Sequence, residues 1–221
     1  MTVRFGVVVL ISGRGTNLRA IVDAIANDGL PVDIRGVICN EPGAPGIELA
    51  RRAGCDVTIV HHRDFPSRER FDAALAEAID RHNPELVVLA GFMRVLTPGF
   101  VRRYAGRLIN IHPSLLPRFP GLDTHARAIA AGAAVHGATV HFVTDELDGG
   151  PIIAQVRVPV LEGDDPDTLA ARVLEREHVI LPHTLLWFAQ RRVGLEGDGV
   201  LIDGEPAMSH FEASFFAPST G

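Results

Sequence analysis

The sequence predicts a single α/β domain with a doubly wound, mostly parallel sheet. Three observations carry that prediction. Short β-branched runs alternate with helix-period segments from Phe5 onward, the rhythm of repeated strand–helix units. Val7-Val8-Val9-Leu10-Ile11 and Leu86-Val87-Val88-Leu89 are apolar at every position, the mark of strands covered on both faces. The chain has 221 residues, 47% of them hydrophobic, which suits one domain and crowds two.

Residues 5–11 read as the first strand, followed by a Gly-rich turn and a helix over 17–26. Further strands are expected at 33–39, 57–61, 86–90 and 107–111, with helices between them at 46–53, 67–82 and 98–104. After Ile111 the rhythm changes to a Pro-rich loop through Gly121 and a short helix over 124–131. Strands at 138–143 and 152–158 flank the turn Gly149-Gly150-Pro151, so an antiparallel pair is expected to extend the parallel sheet in the C-terminal half. Asp165-Pro166-Asp167-Thr168 is a helix-start signature for a long helix reaching Arg191, with Pro182 expected to kink or divide it. A short strand is expected near Val200. With no internal repeat and no linker, the domain is expected to span 1–195, leaving 196–221 as a tail without chemistry.

Composition excludes several function classes. The net charge of −6 gives no electrostatic footprint for nucleic acid or an anionic membrane. All 21 basic residues are Arg, which removes a catalytic lysine, a Schiff base and a P-loop lysine together. Cys39 and Cys55 belong to no CxxC pair and point to a reducing compartment. No stretch approaches the ~20 apolar residues of a membrane span, and 7–11 is too short for a signal core. A cytoplasmic location is expected.

Two segments carry chemistry. Ser12-Gly13-Arg14-Gly15-Thr16-Asn17 follows the first strand, where open α/β sheets bind ligands. Small residues let a backbone approach an anion at a helix start. A dinucleotide fingerprint would need Gly where Leu18 stands, although Glu41 could serve as its ribose-binding acid; a tight turn capped by Thr16 or Asn17 is the plainer alternative. In the second segment, Asn110 and His112 stand two apart at the end of a strand, so both point to one face. A carboxamide and an imidazole side by side could donate to one developing oxyanion, or could simply be a core His beside a turn-capping Asn. One of Asp145, Glu146 and Asp148 could orient the His112 ring. None of the ten His residues falls in a metal-binding spacing such as HExxH, so no metal is expected.

Together these strings resemble the phosphoribosylglycinamide formyltransferase family, the folate-dependent glycinamide ribonucleotide transformylases. The resemblance rests on Leu10-Ile11-Ser12-Gly13-x-Gly15-Thr16-Asn17-Leu18, Leu89-Ala90-Gly91-Phe92-Met93-Arg94, Asn110-Ile111-His112-Pro113-Ser114-Leu115-Leu116-Pro117-x-Phe119-Pro120-Gly121 and His141-Phe142-Val143-Thr144-Asp145-Glu146-Leu147-Asp148-Gly149-Gly150. The Asn-x-His-Pro segment is shared by folate formyl-group enzymes in general. The 12–17 loop and a length that leaves no room for an extra domain point to the ribonucleotide as acceptor.

The resemblance implies a Rossmann-like formyltransferase fold and a formyl transfer from 10-formyltetrahydrofolate, as co-substrate, to the amine of phosphoribosylglycinamide in purine synthesis. It assigns Asn110 and protonated His112 to the oxyanion of a tetrahedral intermediate and Asp148 to His112 and proton movement. Gly15, Thr16 and Asn17 would hold the phosphate and Glu177 the ribose hydroxyls. Arg68, Met93, Arg94, Val95, Leu96, Thr144, Asp145 and Glu146 would contact the folate. Partners implied are these two small molecules, with monomer and homodimer both open.

Overall fold

The computed structural model describes residues 4–197 and 199–207. A seven-stranded sheet forms the centre, built from β1 (Phe5–Ile11), β2 (Val32–Cys39), β3 (Val57–Ile59), β4 (Leu86–Leu89), β5 (Leu108–His112), β6 (Val135–Phe142) and β7 (Ile152–Pro159). The spatial order is β3-β2-β1-β4-β5-β6-β7. Strands β3 through β5 pair in parallel, and β6 and β7 continue the sheet antiparallel, as expected. The order reverses direction between β1 and β4, which opens a crevice above their carboxyl ends.

Alternation along each strand divides the core into two layers. Val7, Val9 and Ile11 of β1 and Leu86 and Val88 of β4 join one cluster. It packs beneath α1 (Thr16–Asn27), α2 (Pro45–Arg52) and α6 (Pro166–Ala189). Val8 and Leu10, with Val87 and Leu89, face the opposite cluster under α3 (Arg68–Asp80) and α4 (Pro98–Arg103). Each fully buried Val, Leu or Ile side chain contributes about 1.5–3 kcal/mol, so the unbroken apolar runs are what make a two-sided sheet stable.

The second layer thins over β5 and β6, and there the pattern turns polar. Ile109 and Ile111 still face the first cluster, as do Ala138, Val140 and Phe142 of β6. Asn110 and His112 point the other way, paired in register with His141 and Thr139. A polar patch therefore sits at the end of an otherwise apolar sheet.

Several boundaries differ from expectation for physical reasons. β3 stops at Ile59 because His62–Asp64 turns into a 3-10 helix. Pro182 does not divide α6 into two elements: the helix runs from Pro166 to Ala189, capped by the Asp165 carboxylate, and its buried stripe through Leu169, Val173, Ile180, Leu181 and Leu185 holds it to the core. The helix α5 (Thr124–Ala130) closes the Pro-rich loop. Beyond α6, β8 (Val193–Glu196), β9 (Gly199–Ile202) and β10 (Glu205–Pro206) form a small antiparallel sheet. Val200 and Ile202 join the first cluster, so the expected break at 195 falls inside a hairpin that belongs to the core. The remainder of the expected tail, 208–221, lies outside the described residues.

Candidate active site

The turn after β1 is built for close approach. Gly15 adopts φ +72°, and a Cβ there would meet the Gly46 Cα at 3.0 Å. The turn is further pinned by Gly46 N–H donating to the Gly13 carbonyl at 3.0 Å. Gly15 is the N-cap of α1, which has no side-chain cap, so neither Thr16 nor Asn17 serves as one. The first-turn N–H groups of α1 are thus left to face whatever occupies the crevice.

Asn17 instead turns inward. Its Nδ2 donates to Glu177 Oε2 at 2.6 Å, joining α1 to α6. Glu177 is buried, and that burial pushes its carboxyl up to about 7, against the opposing pull of the Asn17 amide. The sequence placed these residues 160 positions apart; the fold makes them one unit.

Four side chains meet above the ends of β5 and β6. His141, 2% exposed, donates from Nδ1 to the Phe142 carbonyl at 2.9 Å. Burial holds this imidazole below its ordinary pKa, so it is neutral and Nε2 carries a lone pair. Asn110 Nδ2 lies 3.2 Å from that nitrogen and donates to it, which fixes the orientation of the carboxamide and leaves its second N–H for another acceptor. His141 Nε2 is also 3.8 Å from Asp148 Oδ1.

His112, 6% exposed, has its Nε2 3.1 Å from the Phe119 carbonyl oxygen. A carbonyl only accepts, so Nε2 is the ring nitrogen that donates there. Nδ1 faces Asp148 Oδ2 at 3.5 Å. The turn after β6 thus delivers one acid of the three, Asp148, to the ring. Asp145 instead pairs with Arg102 at 3.2 Å, and Glu146 is exposed.

The Pro-rich loop is locked around this set. Thr139 donates from its hydroxyl to the Ser114 carbonyl at 2.6 Å and accepts from Leu116 N–H at 3.1 Å and Gln155 Nε2 at 2.9 Å. Gly121 N–H donates to Asp148 Oδ2 at 2.8 Å. Behind the loop, the rings of His125 and His136 meet edge to face at 5.2 Å. Burial lowers both, His136 to about 4, so neither adds a cation beside His112.

The residues assigned to the folate line a neighbouring edge. Met93, 69% exposed, and Val95 offer apolar side chains to solvent, while Leu96 packs on the second cluster. Arg68 donates to the Val95 carbonyl, and Arg94 lies over the Phe71 ring at 5.9 Å. Ser12 connects this edge to the turn after β1: its hydroxyl accepts Met93 N–H at 2.8 Å. Thr144 is exposed across the crevice. A cavity of about 550 Å³ between α1 and α6 is lined by none of these residues, whereas one of about 440 Å³ borders Asp148.

Two residues were given no role by the sequence reading. His141 and Thr139 are silent as a pattern, and only the antiparallel register of β6 against β5 sets them beside Asn110 and His112. The dinucleotide alternative loses its supports: Leu18 is fully buried in the core, and the Glu41 carboxylate lies 3.4 Å from His62.

Residues 5–185 match the formyl transferase family model. Phosphoribosylglycinamide formyltransferase of Escherichia coli K12 is 50% identical over 199 residues, covering 90% of this chain and 94% of that one. Among solved structures, the phosphoribosylglycinamide formyltransferase of Coxiella burnetii superimposes with a TM-score of 0.88 at 50% identity, over 92% of this chain and 95% of that one. Glycinamide ribonucleotide transformylase 1 of Symbiobacterium toebii gives 0.88 at 45% identity, over 91% and 95%. On fold, motif and relatives alike, the chain belongs to the formyl transferase family.

Proposed function

We propose that the chain transfers the formyl group of 10-formyltetrahydrofolate to the amine of phosphoribosylglycinamide, a step of purine biosynthesis. The observation that carries this reading is the Asn110–His141–Asp148–His112 set, with an oriented amide donor and an imidazole that faces a carboxylate at one end of the crevice. The shared name of the relatives supports the choice of acceptor.

The substrate amine attacks the formyl carbon, and the carbonyl oxygen becomes an oxyanion. Asn110 donates its free amide N–H to that oxygen, and the positive charge of protonated His112 supports it. Asp148 holds the charged ring and accepts the proton released by the attacking nitrogen, directly or through water. The intermediate collapses as the bond from carbon to the folate nitrogen breaks, and that nitrogen takes up the proton passed on by Asp148 through water. The products are the formylated ribonucleotide and tetrahydrofolate.

Gly15, Thr16 and Asn17 hold the phosphate at the start of α1, where backbone N–H groups and the helix dipole favour an anion. Glu177 accepts the ribose hydroxyls. Arg68 and Arg94 offer the cations that the folate's glutamate carboxylates require, and Met93, Val95 and Leu96 give an apolar wall to the pterin, faced by Thr144, Asp145 and Glu146. No metal enters this chemistry. Among the described residues no helix is long and apolar enough to cross a membrane, and two small charged substrates suit the cytoplasm.

An assay with purified protein, the ribonucleotide and the formyl folate tests the reading. Tetrahydrofolate release that depends on the ribonucleotide is expected. No release, or release at the same rate with water as the only acceptor, would overturn it.

A further inference from the structure

A second cluster of chemically capable side chains lies at the other end of the same sheet edge. The parallel register of β2 with β3 sets Cys39 opposite Ile59, so the residues that follow, Glu41 and the pair His61-His62, emerge side by side. One donor atom from each of Glu41, His61 and His62 lies within 4.8 Å of the other two. Sequence spacing conceals this group because its members belong to different strand ends.

The surroundings are those of a metal site. His61 Nδ1 lies 3.0 Å from Asp64 Oδ1, so a carboxylate orients the ring and leaves Nε2 with its lone pair. His62 Nδ1 has the Asn40 carbonyl oxygen at 3.2 Å and Glu41 Oε1 at 3.4 Å. The backbone between them is held twice, since the Glu41 carbonyl accepts from the Cys39 thiol at 3.2 Å and from Ala44 N–H at 3.0 Å. His62 is mostly buried and His61 partly so, while Glu41 is exposed enough to adjust.

We propose that Glu41, His61 and His62 bind one divalent late transition metal of the zinc class. Two imidazoles and one carboxylate are a nitrogen-and-oxygen donor set suited to zinc, cobalt or nickel and poorly suited to magnesium or calcium, which take oxygen ligands. Ligands about 2.0–2.1 Å from zinc in a tetrahedron stand about 3.3 Å apart, so donors within 4.8 Å of one another have only a short distance to close around the ion, and water completes it.

The ion does not take part in the acyl-transfer chemistry. β2 and β5 are separated by β1 and β4, and three strand spacings amount to roughly 14 Å. It braces the crevice edge instead, because Asn40, whose backbone carbonyl meets His62, accepts from the Ser12 hydroxyl at its side-chain carbonyl, and Ser12 accepts Met93 N–H.

The test is calorimetric titration of the full chain, free of any affinity tag and stripped by chelator, with zinc alone. One equivalent is expected to bind, and cobalt in its place is expected to show the visible absorption of a tetrahedral ion. His61→Ala and His62→Ala should each abolish or weaken binding by more than tenfold, Glu41→Gln should weaken it while keeping the shape of the side chain, and Asp64→Asn should cost about 10–100-fold. His82→Ala, remote from the cluster, should leave it unchanged. Absence of binding at millimolar zinc overturns the proposal, and so does binding that survives Glu41→Gln together with His62→Ala, in variants whose far-ultraviolet dichroism matches the parent.

Discussion

Oδ2 of Asp148 lies 3.5 Å from Nδ1 of His112. The same oxygen accepts the Gly121 N–H, so the carboxylate is held in place by the loop that follows β5 rather than by the ring it serves. Asp148→Asn keeps the shape and removes the charge. Turnover is expected to fall by ~10²–10⁴-fold, the range for a positioned acid–base group, with the KM for the ribonucleotide nearly unchanged. Steady-state kinetics on both substrates check this.

His141 acts through Asn110. Removing the imidazole frees the carboxamide to turn and takes away the side-chain partner that holds it. His141→Ala is expected to lower kcat by roughly 10–100-fold while the ribonucleotide KM holds. Partial rescue by added imidazole would separate this positioning role from a general loss of packing.

Thr139 ties the loop to the sheet through two hydrogen bonds and accepts a third from Gln155 of β7. Thr139→Val keeps the volume but leaves the buried Leu116 N–H and Ser114 carbonyl without that partner. A loss of about 2–4 kcal/mol is expected, seen as a fall in Tm of roughly 5–15 °C.

Glu177 makes stability and binding depend on pH. Its folded pKa of about 7 stands above its ordinary value of 4.5, so across that window the native chain keeps a proton the unfolded chain has lost. The contribution is full below pH 4.5 and is lost as the pH rises toward 7, amounting to about 3 kcal/mol. Denaturant titrations should show this slope in the parent and not in Glu177→Gln. If Glu177 holds the ribose as proposed, its hydroxyls donate to the ionised carboxylate, so ribonucleotide affinity should rise as the pH passes 7, and calorimetry should find that rise absent from the Gln variant beyond the titration of the phosphate itself.

Much of this architecture is legible in the sequence because its cause is local. The unbroken apolar runs of β1 and β4 announce a sheet covered on both faces, and the period of two places Asn110 with His112. What the sequence conceals depends on pairing across distance. The register of β6 brings His141 and Thr139 to the site, the meeting of α1 with α6 joins Asn17 to Glu177, and adjacent strand ends assemble Glu41 with His61 and His62. Pro182 misleads for the related reason that tertiary packing outweighs the local preference of one residue in α6.

The central claim is that His112 acts on the reacting group, and replacing the residue tests it most directly. His112→Ala, assayed with saturating formyl folate, is expected to turn over ~10²–10⁴-fold more slowly while binding the ribonucleotide as tightly as the parent. Full turnover in the variant, or a loss explained entirely by weaker ribonucleotide binding, would contradict the account.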